Sequence, residues 1–292
     1  PYPALISDDA ARRDRTLAAW ATLTSEQGAA RAPAPELQPV TATLRALPAI
    51  TATAAPLLRL PQVGGAEGRA PTEEETRESL RRFIAGAGPL LGASPEELSL
   101  VEIKDGAGGT KRARYRQNPF SYPLRGGYGE VNIVFTPDRR VVELSSTAVP
   151  DAGRVARALA AVRPQLTAER LTAALNGRAV TYTDGGTDAG GGQQTVTLAA
   201  SEQTTVQELV IYLLRGVDSS GAAVAGAPLA FHLAWEVRTT QGGTPLLIYV
   251  DAVTGDTLAA TVATAAAAPD AGQGGAVIMS FRLDLTRPTA AS

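Results

Sequence analysis

Strict alternation of apolar and polar residues marks the clearest strands of this chain. Leu229, Phe231, Leu233, Trp235 and Val237 alternate with Ala230, His232, Ala234 and Glu236, so one face is expected to be buried and the other, carrying His232 and Glu236, to meet solvent or a partner. Val277, Met279, Phe281, Leu283 and Leu285 repeat that period against Ile278, Ser280, Arg282 and Asp284, which predicts a half-buried strand over 277–285. From Ala113 to Gln117 the same period sets Arg114 and Arg116 on the outer face of a strand. Its antiparallel neighbour is expected to carry Leu98, Leu100, Val101 and Ile103, across a glycine-rich turn at 106–109. Shorter runs predict strands over 130–135, 141–145, 178–183, 195–199, 209–214, 246–251 and 257–260, with loops over 118–127 and 184–192.

Helical spacing appears between these strands. Asp8 or Asp9 caps a helix to about Leu23 that places Leu17 and Trp20 on one side. Thr72 with Glu75 forms a capping box ahead of Leu80, Phe83, Ile84 and Ala87, and Gly86 with Gly88-Pro89 is expected to end that helix. Ser94-Pro95-Glu96-Glu97 repeats the device on a short element. Val155, Leu159 and Val162 form the stripe of a helix from Asp151, and a further helix runs from a Thr167 cap to Asn176-Gly177.

The order is helices first, then an antiparallel meander, twice over. An α+β fold follows, with helices packed on one face of each sheet. The expected organisation is an N-terminal helix and Ala/Pro-rich arm over 1–70, one domain over 71–150, a second over 151–262, and an Ala-rich linker with the last strand over 263–292. The density of proline from Pro33 to Pro61 favours an extended arm or linker. The alternative, an arm packed over the next domain, draws on Leu44, Leu47, Ile50, Leu57, Leu58 and Leu60.

Composition removes most catalytic chemistry. With no cysteine among 292 residues, disulfides, thiol catalysis and thiolate metal sites are excluded; with one histidine, His232, so is any two-imidazole zinc site. Lys and Arg number 27 against 29 Asp and Glu, which gives no long-range attraction to nucleic acid or an anionic membrane. No apolar run approaches a membrane span. His232 is the one conventional general base near neutral pH, and Glu236, four residues along an extended strand, lies about 13 Å off, too far to orient the ring. The acids of Glu73-Glu74-Glu75 and Glu96-Glu97 fit the positive ends of helices. Gly106 to Lys111 lacks the spacing of a phosphate loop, and Asp184 with Asp188 lacks the calcium-loop pattern. Asp251 to Asp256 reads as a turn in which Asp251 accepts backbone amides. No cofactor, metal site or catalytic residue is expected, and the chain is read as a non-enzyme. An enzyme working through carboxylates alone would need a convergent pair that the spacing does not supply.

Residues 72–150 resemble the fungalysin/thermolysin propeptide domain, on the helix of Leu80, Phe83 and Ile84, Ser94 to Leu98, Arg114-Tyr115-Arg116-Gln117, Gly126-Gly127-Tyr128-Gly129-Glu130, and Val134 to Ser146. Residues 151–262 resemble the PepSY-type domain that follows it, on Glu208 to Tyr212, Leu233 to Val237, and Tyr249 to Leu258. The resemblance implies two cystatin-like units and a proregion that binds, and inhibits or chaperones, a secreted zinc metalloprotease domain in cis or in trans. It implies a secreted or periplasmic setting, and Pro1 at the start fits a signal peptide already removed. No HExxH motif is present here, and the loop 118–124 departs from the family's short turn. Partner contacts are expected at Arg114, Arg116, His232 and Glu236. The alternative is a stand-alone extracytoplasmic PepSY-like module whose partner is unrelated to proteases.

Overall fold

The computed structural model describes residues 5–29, 32–48, 58–64, 71–183, 193–198, 204–216, 227–241 and 243–263. In chain order its elements are β1 (Leu5–Ile6), α1 (Ala10–Glu26), β2 (Glu36–Leu37), β3 (Leu44–Ala46), α2 (Glu73–Leu91), β4 (Leu98–Asp105), β5 (Lys111–Gln117), β6 (Leu124–Arg125), β7 (Glu130–Phe135), β8 (Val141–Ser146), α3 (Ala152–Leu159), α4 (Ala168–Leu175), β9 (Ala179–Thr183), β10 (Gln193–Thr197), β11 (Thr205–Arg215), β12 (Leu229–Gln241), β13 (Thr244–Asp251) and β14 (Thr257–Val262). The fold is α+β. Two compact units divide the chain: one of Ile6–Phe120 with Tyr128–Arg154, the other of Pro1–Leu5, Ser121–Gly127 and Val155–Ser292. No helix among the described residues is long and apolar enough to cross a membrane. The expected strand over 277–285 and the loop of Asp184 and Asp188 lie outside the described residues.

In the N-terminal unit the helix starts follow their caps. The Asp9 carboxylate accepts from the amides of Ala11 at 2.9 Å and Arg12 at 3.3 Å. Thr72 and Glu75 exchange the two bonds of a capping box, at 2.7 and 3.2 Å. The apolar stripe of α2 packs with Ala113, Tyr115, Val131, Ile133, Phe135 and Leu144 from the sheet β4-β5-β7-β8. One expectation fails at its end: α2 continues through Pro89 to Leu91. Leu90 and Leu91 are both fully buried, so packing holds the last turn. Gly92, at φ 73°, then closes the helix with its N–H on the Gly88 carbonyl. A Cβ at Gly92 would overlap the Thr43 methyl group, so glycine is required there on two counts.

The arm is the second difference. It is part of this unit's core, not a linker: Leu44 and Leu58 are completely buried and Leu60 nearly so, in one cluster with Trp20, Leu80 and Phe83. Its prolines disfavour helix without keeping these leucines out of the core. Thr43 Oγ1 donates to the Ser146 carbonyl at 3.0 Å, and Ser146 Oγ donates to the Leu91 carbonyl, so buried hydroxyls tie the arm, β8 and the end of α2 together.

The C-terminal unit is a sheet in the order β10-β9-β14-β13-β12-β11-β6. On one face Leu171 and Leu175 of α4 pack against Val180, Tyr182, Val237, Ile248 and Val250. The expected alternation of β12 holds on this side, and Trp235, half-buried, donates its Nε1–H to the Leu166 carbonyl at 2.9 Å. The stretch expected as a plain loop contains β6, which pairs in parallel with Ile211 and Tyr212 of β11.

Candidate functional site

The second face of the C-terminal sheet differs from the expected solvated one. Ala234 is completely buried and Glu236 is 6% exposed. Around them Val210, Tyr212, Tyr249, Leu258 and Ala259 form a second apolar cluster. The pairing explains which side chains meet: Tyr212 lies opposite His232, Glu208 and Tyr249 flank Glu236 from the two sides, and Asp251 lies opposite Ala234. All therefore project to one face.

Two polar systems sit on this face. In the first, His232 Nδ1 lies 2.7 Å from Asp251 Oδ2, with the carboxylate almost fully buried and the ring 18% exposed. The other oxygen, Oδ1, accepts the amides of Val253 at 2.8 Å and Thr254 at 2.9 Å. The turn role expected for Asp251 is present, and the carboxylate adds the orientation of the one histidine. A carboxylate on Nδ1 favours the proton on that nitrogen and fixes the ring plane. The pair therefore anchors the β13–β14 turn to the middle of β12. Replacing Asp251 by alanine strands two amides and the ring, and is expected to cost about 2–3 kcal/mol. Urea unfolding followed through Trp235 fluorescence checks it, and a change below about 0.5 kcal/mol would refute the anchoring role.

In the second system the half-buried guanidinium of Arg125, carried in by β6, sits on a buried carboxylate. Its Nε donates to Glu236 Oε2 at 2.7 Å, and its Nη2 donates to Glu208 Oε1 at 2.8 Å. Nη1 donates to the Leu124 carbonyl at 3.2 Å, and Tyr249 donates its hydroxyl to Glu236 Oε2 at 3.3 Å. Burial opposes the charge on Arg125, but Glu236, with smaller contributions from Tyr249 and Glu208, outweighs it, and the guanidinium pKa is raised. Burial first, and the Glu236 charge next, push the Tyr249 phenol above its ordinary value, so it remains a hydrogen-bond donor. The Tyr212 and Tyr249 rings, with centroids 4.5 Å apart and tilted by 34°, wall one side of this network.

The exposure expected at the four candidate contact positions differs in the structure. Glu236 is not a surface group; it is the buried acceptor of an internal ion pair. His232 is only partly exposed, and Asp251 holds its ring. In the other unit Arg114 is only 12% exposed, because Glu102 opposite it on β4 accepts from its Nε at 3.1 Å and Glu130 lies 3.6 Å from its Nη1. Arg116 is 38% exposed and also lies 3.6 Å from Glu130, its cross-strand neighbour. The Glu102 carboxyl is held below its usual range, first by Lys104 and then by Arg114. Arg114 and Arg116 are spoken for by acids on adjacent strands, which alternation within a single strand cannot reveal. Asp251, Arg125, Glu208 and Tyr249 belong to the site without having been expected there. Among the described residues no group of three or more His, Asp or Glu side chains could hold a metal ion.

No protein-family model matches this chain, and no curated protein matches it. Among solved structures one match is the Bacillus megaterium YpeB C-terminal domain, with 12% sequence identity and a TM-score of 0.26, covering 65% of this chain and 66% of that one. At that score the likeness carries no structural argument, and the fold rests on the elements described above.

Proposed function

We propose that this chain is a non-catalytic, proregion-like protein of the secreted or periplasmic space that binds a thermolysin/fungalysin-type zinc metalloprotease domain and inhibits or chaperones it. One observation carries the reading. The N-terminal unit packs a capped helix on the antiparallel meander β4-β5-β7-β8, and a second helix-and-meander unit follows in the chain, in the order that the resemblance in 72–262 implies. The chemistry of the second unit fits a binding protein: its histidine is paired with Asp251 and its other most buried acid, Glu236, with Arg125. Inhibition would act by occlusion, through a standard interface of roughly 1,600 Å² in total. Val101 and Val142, exposed at bulges on the two outer strands of the N-terminal sheet, are the apolar positions such a partner would cover first.

A titration against thermolysin and a fungalysin tests this, with residual peptidase activity and the mass of the chain as readouts. Stoichiometric loss of activity with the chain intact is the expected result. Undiminished activity, with no complex on size exclusion at a several-fold excess, would overturn it and leave the stand-alone binding module.

A further inference from the structure

The strand β11 is bordered on its outer side by an occupant much shorter than itself. Eleven residues, Thr205 to Arg215, form β11, and β6 pairs with only two of them, Ile211 and Tyr212. Both limits are built into the occupant's sequence. Pro123 offers its carbonyl to the Ile211 amide at 2.8 Å but has no N–H with which to continue the ladder. Gly126 turns away at φ 81°, where a Cβ would stand 2.8 Å from the Leu213 carbonyl. Beyond that short pairing, Thr205, Gln207 and Glu208 are exposed and Val206 and Leu209 half-buried, so this half of the strand is accessible along its length. The anchor of the occupant is chemical as well as geometric: Arg125 reaches Glu236 and Glu208 together, a planar fork on two carboxylates.

We infer that the outer edge of β11 is a docking site for an extended, arginine-bearing peptide strand of a partner protein, and that residues 121–127 are an internal stand-in that keeps it closed. A partner strand laid parallel to β11, with leucine and arginine at the positions of Leu124 and Arg125 and no proline before them, pairs with Thr205–Leu209 as well. Main-chain hydrogen bonds then supply affinity, and the Glu236–Glu208 slot supplies selection for arginine. The shorter internal strand has the advantage of being covalently attached; the partner has the longer ladder. This inference is independent of the protease reading, since it concerns the edge of one sheet and the chemistry of one slot.

The probe is a fluorescein-labelled hexapeptide, Thr-Val-Thr-Val-Leu-Arg amide, measured by anisotropy against the full chain and its Arg125→Ala variant, beside a second peptide ending in Leu-Ala. The expected result is binding to Arg125→Ala at least tenfold tighter than to the unmodified chain, and at least tenfold weaker binding of the alanine peptide. Equal binding of the two peptides, or none to either protein, would sink the proposal. Should Arg125→Ala fail to fold, the same peptide carrying photo-leucine is cross-linked to the unmodified chain at high concentration. Labelling within 205–212 that the alanine peptide does not produce supports the site, and labelling elsewhere or not at all refutes it.

Discussion

Replacing Arg125 with alanine destabilises the C-terminal unit by about 3–5 kcal/mol, while replacing Glu236 with glutamine costs distinctly less. The asymmetry follows from burial. The Glu236 side chain is 8% exposed and that of Arg125 25% exposed, and Arg125 keeps a second carboxylate, Glu208, when Glu236 is neutralised. Losing the arginine leaves a buried carboxylate with only the Tyr249 hydroxyl as donor. Losing the acid leaves a half-buried cation with a partner. Glu208 is 48% exposed, so its own pair with Arg125 is worth no more than about 1 kcal/mol. The double variant Arg125→Ala with Glu236→Gln is therefore expected to recover most of the single loss, a coupling of about 2 kcal/mol or more. Each unit holds one of the two tryptophans, so urea unfolding in a Trp20→Phe background reports the C-terminal unit through Trp235. Additive losses, or equal effects of the two single changes, would show that the pair is not the buried anchor described.

Much of the fold is written in local patterns. Asp9, Thr72 and Thr167 each cap the helix they precede, because a side-chain oxygen there meets amides that the helix leaves free. The period of two in β12 identified its apolar face correctly. The opposite face is polar without being solvated, because Glu236 is paired with Arg125 and Asp251 with His232. Part of that was recoverable. The β12–β13 register runs from Gln241 opposite Thr244 to Ala234 opposite Asp251, which places Asp251 diagonal to His232 on one face. Arg125 left no such trace. It reaches its acids through a two-residue parallel strand 111 residues away in sequence from Glu236, in a stretch rich in Pro and Gly that reads as loop. Contacts of that separation are fixed by tertiary packing and have no local periodicity. The extent of α2 differs for a related reason: Pro89 argues against continuation locally, and the burial of Leu90 and Leu91 overrides it.

The largest effect is expected from the arm. Leu58→Ala is expected to cost the N-terminal unit about 2–5 kcal/mol, since the side chain is fully buried among Leu44, Leu80, Phe83 and Val141 in one cluster. Arg59→Ala, an exposed neighbour on the same stretch, should change stability by less than about 0.5 kcal/mol. The Leu58 backbone contributes as well, because its carbonyl accepts the Val141 amide at 3.0 Å and the Leu60 amide donates to the Arg139 carbonyl at 2.9 Å, extending the sheet beside β8. A chain begun at residue 71 loses Trp20, Leu44, Leu58 and Leu60 from the core at once, together with the Thr43 hydroxyl bond to Ser146. That loss exceeds the whole stability of most domains of this size, about 5–15 kcal/mol, so the truncated unit should lack a cooperative unfolding transition. Circular dichroism and urea titration of the truncated chain in a Trp235-containing background decide the matter for each unit separately. A cooperative N-terminal transition at an unchanged midpoint would return the arm to the status of a linker. Its absence, with the Trp235 transition retained, would establish that Trp20, Leu44, Leu58 and Leu60 are structural members of the N-terminal unit and that the proline-rich stretch contributes to its core.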